Sequence, residues 1–127
     1  MREETRRLWL QALEDLETAR VMLDVDRYYA SAFFSHQAAE KALEVLFIHV
    51  KRDISPKTHN LLELLAHMDV GEEVIDAAVE LNPDYVVARY PDAANGVPAQ
   101  MYNERIARNR FEKAKLIVEF CRRRLQE

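Results

Sequence analysis

Apolar residues recur at helical spacing along three long segments of this chain, and no segment alternates as a β-strand does. In the segment over residues 3–24, the apolar stripe with a 3.6-residue period consists of Leu8, Trp9, Ala12, Leu16, Ala19 and Leu23. Comparable segments cover residues 27–51 and 104–126, and Asn103 is the expected cap of the last one. The pattern predicts three long helices. The short link near residues 24–26 predicts that the first two form an antiparallel hairpin.

The sequence between the second and the last long helix is interrupted by proline and glycine. Short helices are expected over residues 60–68 and 72–81, followed by one further turn over 85–90 and a loop over 91–101. The whole chain, residues 1–127, is therefore predicted to be a single all-α domain. Its expected architecture is an up-and-down four-helix bundle with a broken short-helix segment.

The composition excludes several classes of protein. The two glycines, Gly71 and Gly96, are too few for the dinucleotide-binding motif G-x-G-x-x-G and too far apart for a Walker A loop. The single Cys121 leaves no internal disulfide, as is usual in a reducing compartment. The charged start over residues 1–4 does not fit a signal peptide, and the longest apolar run, residues 45–48, is too short to span a membrane. A cytoplasmic protein is expected.

The net charge of −4 provides no general basic field for binding duplex nucleic acid. Basic residues do gather in the last helix, at Arg105, Arg108, Arg110, Lys113, Lys115 and residues 122–124. We interpret them mainly as cations that complement the negative end of that helix, with a nucleic-acid patch as the alternative.

His36 and Glu40 occupy an unusual position in the second helix. They fall at the edge of its main apolar arc, where an unpaired carboxylate is costly to desolvate. Arg89 is the expected partner of Glu40, because an arginine–carboxylate fork makes such burial tolerable. Glu40 is then either part of a polar pocket or a satisfied core carboxylate that ties the bundle together.

The second helix also carries a weaker apolar stripe on another side, composed of Phe34, Ala38, Lys41, Val45 and Ile48. A helix that is apolar on two sides is buried by two neighbours. The second neighbour is either another helix of the same chain or a partner subunit related by a two-fold axis. The prediction is that Phe34, Ala38, Val45 and Ile48 lie in a homodimer interface.

Several kinds of catalytic site find no support in the sequence. His36 and Glu40 are one helical turn apart, but no third ligand has a readable metal-binding spacing, so no metal and no cofactor are expected. Ser31, Ser35 and Cys121 lack the base that a nucleophilic hydrolase needs. His59 is interpreted as a turn residue.

Arg89-Tyr90-Pro91 is the segment that most favours ligand binding. Proline pushes the preceding Tyr90 out of the helical region, so a helix ends here beside an arginine and an aromatic ring. The guanidinium can bind phosphate and the ring can stack on a base, with Arg110 as a second cation. The alternative is that Tyr90 only caps the bundle.

Three motifs then occur in a characteristic order: A-x-x-D-L-x-x-A over residues 12–19, H-Q-A-A-E-K-A-L over 36–43 and R-Y-P-D over 89–92. Together with K-T-H-N-L over 57–61, they resemble the HEPN domain, the higher-eukaryote and prokaryote nucleotide-binding domain. The resemblance extends over almost the whole chain. It implies a bundle of four or five helices that is usually dimeric.

The resemblance also implies a function. Stand-alone HEPN proteins are often encoded beside a minimal nucleotidyltransferase and are regarded as its nucleotide- or substrate-binding subunit. Many other members are metal-independent RNases that carry an Arg, four to six residues and then a His near the last long helix. This chain lacks that motif, because no histidine follows His67. Arg52 and His59 have the spacing but lie between the second and third helices, so the nuclease site is not assigned to them.

The sequence therefore predicts a non-catalytic nucleotide-binding or accessory subunit of a minimal nucleotidyltransferase, of the toxin–antitoxin kind. The expected nucleotide-binding residues are Arg89, Tyr90, Arg110, His36, Glu40 and Lys41. The alternatives are a divergent metal-independent RNase toxin and a purely structural interaction or adaptor protein. The expected partners are a second copy of the chain, the nucleotidyltransferase and a nucleotide; the charge does not favour RNA.

Overall fold

The structure, a computed structural model, describes residues 1–127 and contains helices but no strand. In chain order the helices are α1 (Glu3–Asp24), α2 (Tyr28–Lys51), α3 (Leu61–Leu65), α4 (Glu72–Leu81), α5 (Asp84–Val87), α6 (Pro91–Ala94) and α7 (Glu104–Leu125). A 3₁₀ turn over Pro98–Gln100 precedes α7. The all-α fold predicted from the helical periodicity is confirmed.

Side-chain caps explain where two of the helices begin. Asn60 accepts a hydrogen bond from the Leu62 N–H at the start of α3, and Asn103 accepts one from the Ile106 N–H at the start of α7. Each cap satisfies one of the N–H groups that the first turn of a helix leaves without a partner. Asp26 adopts the left-handed conformation with φ of 62° between α1 and α2, which lets the chain reverse within a short link.

Residues 91–101, which we expected to be a loop, contain the helical turn α6 and the 3₁₀ turn. Pro91 and Pro98 each stand at the start of one of these turns. The fixed φ of proline suits that position, and its missing N–H costs nothing there. The expectation of an irregular loop is thus wrong, because these prolines begin short turns.

The core lies between α1, α2, α3, α4 and α7 and consists mainly of alanine and leucine, including the fully buried Leu43 and Leu64. Two arginines of α7 show how the α4 segment is aligned. Arg124 donates to the Asp69 carbonyl before α4, and Arg110 binds Asp84 after it. The segment therefore runs antiparallel to α7 and closes the bundle.

A second, smaller cluster holds α5 and the residues after it against α2. It is formed by Ala32, Ala88 and Tyr102, with the half-buried Phe33 and Val87 packed on it. Because Ala88 is buried there, the next residue in the chain, Arg89, is placed at the surface beside α2.

The predicted dimer stripe of α2 requires a correction. Ala38 and Val45 are 0% exposed in the single chain, so neither can reach a partner subunit, while Phe34 and Ile48 are half-buried. Lys41, in the same stripe, binds Asp15 of α1 at 2.7 Å. The middle of the stripe is therefore covered within the chain, with α1 meeting it at Lys41, which was the alternative left open by the sequence.

The structure also describes the apolar character of the helices and the position of the cysteine. None of the helices combines the length and the apolar character that crossing a bilayer requires. The only cysteine, Cys121, is free and buried in the core, where it packs as an apolar residue.

Candidate functional site

Glu40 is paired with His59 and not with Arg89. The Nδ1 atom of His59 lies 2.8 Å from Oε1 of Glu40, while the Glu40 side chain is almost completely buried. A carboxylate can only accept, so Nδ1 carries the proton in this contact. The predicted Glu40–Arg89 ion pair does not form, because the connection before α3 inserts His59 in front of the carboxylate.

The polar residues of α2 form a directional hydrogen-bond chain that ends at His59. Lys41 donates to the Gln37 side-chain oxygen at 3.3 Å, and the Gln37 amide lies 3.4 Å from Nδ1 of His36. Nε2 of His36 then donates to the backbone carbonyl of His59 at 3.0 Å. The motif over residues 36–43 therefore holds His59 at two points. His36 binds the His59 backbone, and Glu40 binds the His59 ring.

His36 is a buried neutral residue and does not contact solvent. Burial lowers its pKa to about 4, although the hydrogen bond to the His59 carbonyl opposes that shift. Its side chain is 0% exposed, so it cannot border a ligand as the sequence suggested. Its observed role is to hold the backbone of His59 from behind.

Glu40 and Glu44 line a shallow cleft of about 340 Å³ next to the connection over residues 54–59. Burial, followed by the neighbouring Glu40 carboxylate, raises the pKa of Glu44 to about 7. The like charge makes it unfavourable for both groups to be ionised. Glu44 is therefore the group that takes up a proton near neutrality, while the Glu40 carboxylate accepts from His59.

Two asparagines fix His59 against Tyr85. Asn82 donates to the Asn60 side chain at 2.9 Å and accepts from the Leu61 N–H at 2.8 Å, which joins the end of α4 to the start of α3. With these segments joined, the His59 ring stacks on the Tyr85 ring with 3.8 Å between centroids and 24° between planes. His59 is thus held by its ring face as well as by Nδ1.

Arg89 lies on the same group of aromatic rings. Its guanidinium carbon is 5.2 Å from the Phe33 ring, 4.9 Å from the Tyr85 ring and 4.8 Å from the Tyr90 ring, and it donates to the Tyr90 hydroxyl. These distances fit cation–π contacts. We call this arrangement, Phe33, Tyr85, Arg89 and Tyr90, the aromatic shelf.

The aromatic shelf is open to solvent. Arg89 is exposed and forms no ion pair, and 46% of Tyr90 is exposed. Tyr90 has the extended conformation, with φ of −113° and ψ of 122°, which the following proline predicted. An uncompensated cation on aromatic rings is an arrangement that can bind an anion and stack a planar group.

Arg110 does not belong to this site. It binds the buried Asp84 at 2.6 Å and Glu80 at 3.3 Å, and Asp84 also accepts from the Tyr102 hydroxyl at 2.6 Å. Burial raises the pKa of Asp84, while the contacts with Tyr102 and Arg110 oppose that shift. The prediction of Arg110 as a second ligand cation is therefore corrected, because its charge neutralises carboxylates between α7 and the α4–α5 segment.

Lys41 is similarly committed to a structural contact. Its ammonium binds Asp15 of α1 at 2.7 Å, and its side chain is only partly exposed. Of the six residues predicted from the sequence, Arg89 and Tyr90 lie together at the surface and Glu40 lies behind His59. His36 and Lys41 support the site from within, and Arg110 lies elsewhere.

Sequence reasoning missed His59, Tyr85 and Phe33. The spacing of Tyr85 and Arg89, four residues apart, was a usable signal for a ring beneath the guanidinium. No local pattern indicated that His59 would meet Glu40, since that contact joins α2 to a connection after it.

No group of three metal-binding side chains occurs in the structure, so the geometry gives no metal centre. A larger hollow of about 500 Å³ lies where the start of α1 meets the end of α2, bordered among others by Arg2, Glu4, His49, Arg52 and Asp53. Its charges are mixed, and none of the cation–π contacts involves its residues. The aromatic shelf and His59 are therefore the better candidate for a functional site.

The chain is similar to a known family and to solved structures over nearly its whole length. The HEPN domain model matches residues 5–124. A protein from Thermus thermophilus is 32% identical with a TM-score of 0.89, and the match covers 98% of this chain and 100% of that one. An archaeal HEPN homologue is 28% identical with a TM-score of 0.83, covering 98% and 99%.

A HEPN domain protein from Thermotoga maritima is also similar, with 27% identity and a TM-score of 0.73 over 95% of this chain and 98% of that one. Among curated proteins, none matches the sequence significantly. The family match, the helical fold and the extent of the structural similarity agree with one another, and this chain belongs to the HEPN domain family.

Proposed function

We propose that this protein is a nucleotide-binding accessory module that partners a minimal nucleotidyltransferase. Membership of the HEPN family supports a function related to nucleotides or RNA. The aromatic shelf supplies the chemistry that a nucleotide needs, which is one cation for phosphate and exposed aromatic surface for a base.

The observation that carries this proposal is the unpaired guanidinium of Arg89 over three aromatic rings. Arg110, by contrast, has its charge neutralised within the chain by Asp84 and Glu80. Apart from the hydrogen bond to the Tyr90 hydroxyl, Arg89 keeps its donors available while the rings limit its orientations. A phosphate can therefore accept from the guanidinium in a fork without displacing a carboxylate from it.

The base would stack on the part of the aromatic shelf that solvent reaches. Tyr90 exposes nearly half of its surface and lies next to Arg89 in the chain. Stacking on an aromatic ring contributes about 1–3 kcal/mol per base and tolerates different bases. The expected ligand is therefore a nucleotide held by its phosphate and its base together.

The nucleotidyltransferase partner, a homodimeric state, a toxin–antitoxin role and a cytoplasmic location extend this proposal through the family resemblance. The partner and the dimer can be tested directly. A nucleotidyltransferase encoded beside this chain should co-purify with it, and sedimentation of the chain alone at micromolar concentration should give a dimer. A monomer that captures no such partner would contradict this extension.

The nucleotide proposal is tested by isothermal titration calorimetry of the purified chain with ATP, GTP and UTP. At least one nucleotide should bind, and Arg89→Ala should weaken that binding about tenfold or more, because a charge-assisted hydrogen bond is lost. Arg123→Ala is the matched control, since Arg123 is exposed, forms no ion pair and lies at the far end of α7. Absence of heat with all three nucleotides, or equal affinity in Arg89→Ala, would remove this proposal.

A second candidate function, a divergent RNase, is favoured by the His59–Glu40 pair. A histidine oriented through Nδ1 by a carboxylate presents Nε2 outward, which is the arrangement of a general acid or base. His59 and Arg89 both contact the Tyr85 ring, so proton transfer and phosphate binding could act on one ligand.

Expression toxicity distinguishes this candidate from simple binding. An RNase of this kind would cleave RNA in vitro and arrest growth, and both effects would be lost in His59→Ala and Arg89→Ala but kept in Arg123→Ala. Nucleotide binding without cleavage, and without growth arrest, would leave the accessory module as the function.

A further inference from the structure

We propose that His59 makes the aromatic shelf selective for ribonucleotides, because its Nε2 atom accepts a hydrogen bond from the sugar 2′-hydroxyl. The inference rests on the proposed nucleotide binding and adds the class of sugar that the site takes. It follows from how His59 is held, from its tautomer and from the Tyr85 ring that both His59 and Arg89 contact.

The ring of His59 is fixed although its side chain is 52% exposed. Glu40 holds Nδ1 at 2.8 Å, and the Tyr85 ring lies against its face at 3.8 Å between centroids. His36 and Asn60 hold the backbone on either side, through the His59 carbonyl and the start of α3. A side chain with this many contacts loses little freedom when it binds a ligand.

The same contacts determine which nitrogen carries the proton. The Glu40 carboxylate accepts from Nδ1–H, so in the neutral imidazole Nε2 is a bare acceptor. Nε2 has no hydrogen-bond partner within the chain, since the contacts of His59 use Nδ1, the carbonyl and the ring face. A ligand group that meets it must therefore donate.

The position of His59 selects the donor. Arg89 lies 4.9 Å and His59 3.8 Å from the centroid of the same Tyr85 ring, so one nucleotide can contact both side chains. In a nucleotide the donors nearest the phosphate are the sugar hydroxyls. The 2′-hydroxyl is the one that can donate in a free nucleotide and within a strand alike, and it distinguishes RNA from DNA.

The test uses the nucleotide that binds most tightly among ATP, GTP and UTP, together with its 2′-deoxy and 3′-deoxy analogues. Calorimetry of the full chain should show the 2′-deoxy form binding about five- to tenfold more weakly, as expected for one lost hydrogen bond. The 3′-deoxy form should bind like the ribonucleotide. In His59→Ala the ratio between ribose and 2′-deoxyribose forms should fall to about one.

Three further variants separate recognition from folding and from phosphate binding. Glu40→Gln replaces a group that can only accept from Nδ1 with an amide that can also donate to it. The tautomer of His59 is then no longer fixed, so the ratio between ribose and 2′-deoxyribose forms should fall although His59 remains. Arg89→Ala should weaken both sugar forms by the same factor and leave the ratio intact. His67→Ala, which changes another exposed histidine, should leave both affinities unchanged.

The outcomes distinguish this inference from the function on which it rests. If the ribose and 2′-deoxyribose forms bind equally while Arg89→Ala still weakens binding, the sugar assignment is wrong and the nucleotide site stands. If only the 3′-deoxy form loses affinity, the contact with the 2′-hydroxyl is overturned. If no nucleotide binds at all, both proposals fail together.

Discussion

The rings of His59 and Tyr85 stack with 3.8 Å between their centroids, and this contact joins the connection before α3 to α5. Tyr85 also lies under the Arg89 guanidinium, at 4.9 Å. One ring thus links a histidine that a buried carboxylate orients with an arginine that has no carboxylate partner. The functional proposals both depend on this central position of Tyr85.

Replacing Tyr85 with alanine should impair the site more than the fold. We expect about tenfold weaker nucleotide binding in Tyr85→Ala, because Arg89 and His59 lose the surface that orients them. Loss of the half-buried ring should lower the unfolding free energy by about 1–2 kcal/mol, which is less than for a fully buried aromatic residue. Calorimetry and urea unfolding measure the two effects.

The conservative variant Tyr85→Phe serves as the control. It keeps the ring, and the Tyr85 hydroxyl forms no hydrogen bond within the chain. Both affinity and stability should stay close to those of the wild type. A Tyr85→Ala protein that binds nucleotide normally would show that the ring does not organise the site.

Arg110→Ala should reduce stability without touching the ligand site. It leaves Asp84 buried with only the Tyr102 hydroxyl as a partner, and losing one member of a buried ion pair is strongly destabilising. We expect a loss of about 2–3 kcal/mol in urea unfolding, since Tyr102 retains part of the compensation. Arg108→Ala, which breaks an exposed pair with Glu104, should change stability by less than about 1 kcal/mol.

Nucleotide affinity at a temperature where Arg110→Ala remains folded should equal that of the wild type. If this variant lost nucleotide affinity while keeping its fold, Arg110 would be a ligand residue after all, as the sequence suggested.

His36 should make stability fall as the solution is acidified. Its pKa is about 4 in the folded chain and near 6.5 in the unfolded chain, so the unfolded state binds a proton first. The contribution is fully present above pH 6.5 and is lost as the pH falls through about 4. A difference of this size corresponds to about 3 kcal/mol.

The measurement is a series of urea unfolding curves between pH 7 and pH 4 for the wild type and His36→Gln. The difference between the two proteins should change across that window, because only the wild type has this titrating group. Parallel curves would mean that His36 has an ordinary pKa and is not held neutral by burial.

Glu44 should have the opposite dependence. Its pKa is raised to about 7 in the folded chain from an ordinary value of 4.5, so folding favours its protonated form. This contribution is fully present below pH 4.5 and is lost as the pH rises through about 7. Glu44→Gln should therefore gain stability relative to the wild type over that range.

Urea midpoints at pH 5 and pH 8 report this effect, and Glu63→Gln provides an exposed glutamate as the control. The control should show no pH-dependent difference from the wild type. If the advantage of Glu44→Gln does not grow between the two pH values, burial and the Glu40 charge do not raise the pKa of Glu44.

The helical fold was predictable because its cause is local. The stripe of α1 and the caps Asn60 and Asn103 depend on spacing and on side chains that bond to their own backbone. The same reasoning wrongly predicted a loop over residues 91–101. A proline can end a helix or begin a new turn, and Pro91 and Pro98 each begin one. Only the packing of the neighbouring segments selects between these outcomes.

The exposed part of the site was predictable to a similar extent. Arg89 and Tyr90 follow from their position before a proline, and proline acts on the residue that precedes it. The burial of Glu40 also followed from the helical wheel, because position on a helix face is a matter of sequence spacing.

The partner of Glu40 was decided only by the tertiary structure. A buried carboxylate needs a donor, and Arg89 and His59 were both chemically suitable. The choice depends on where the connection before α3 lies, which the Asn60–Asn82 contact and the Tyr85 stack determine. The sequence alone thus determined the helices and the need for a polar partner, whereas contacts between distant segments determined which residue met that need.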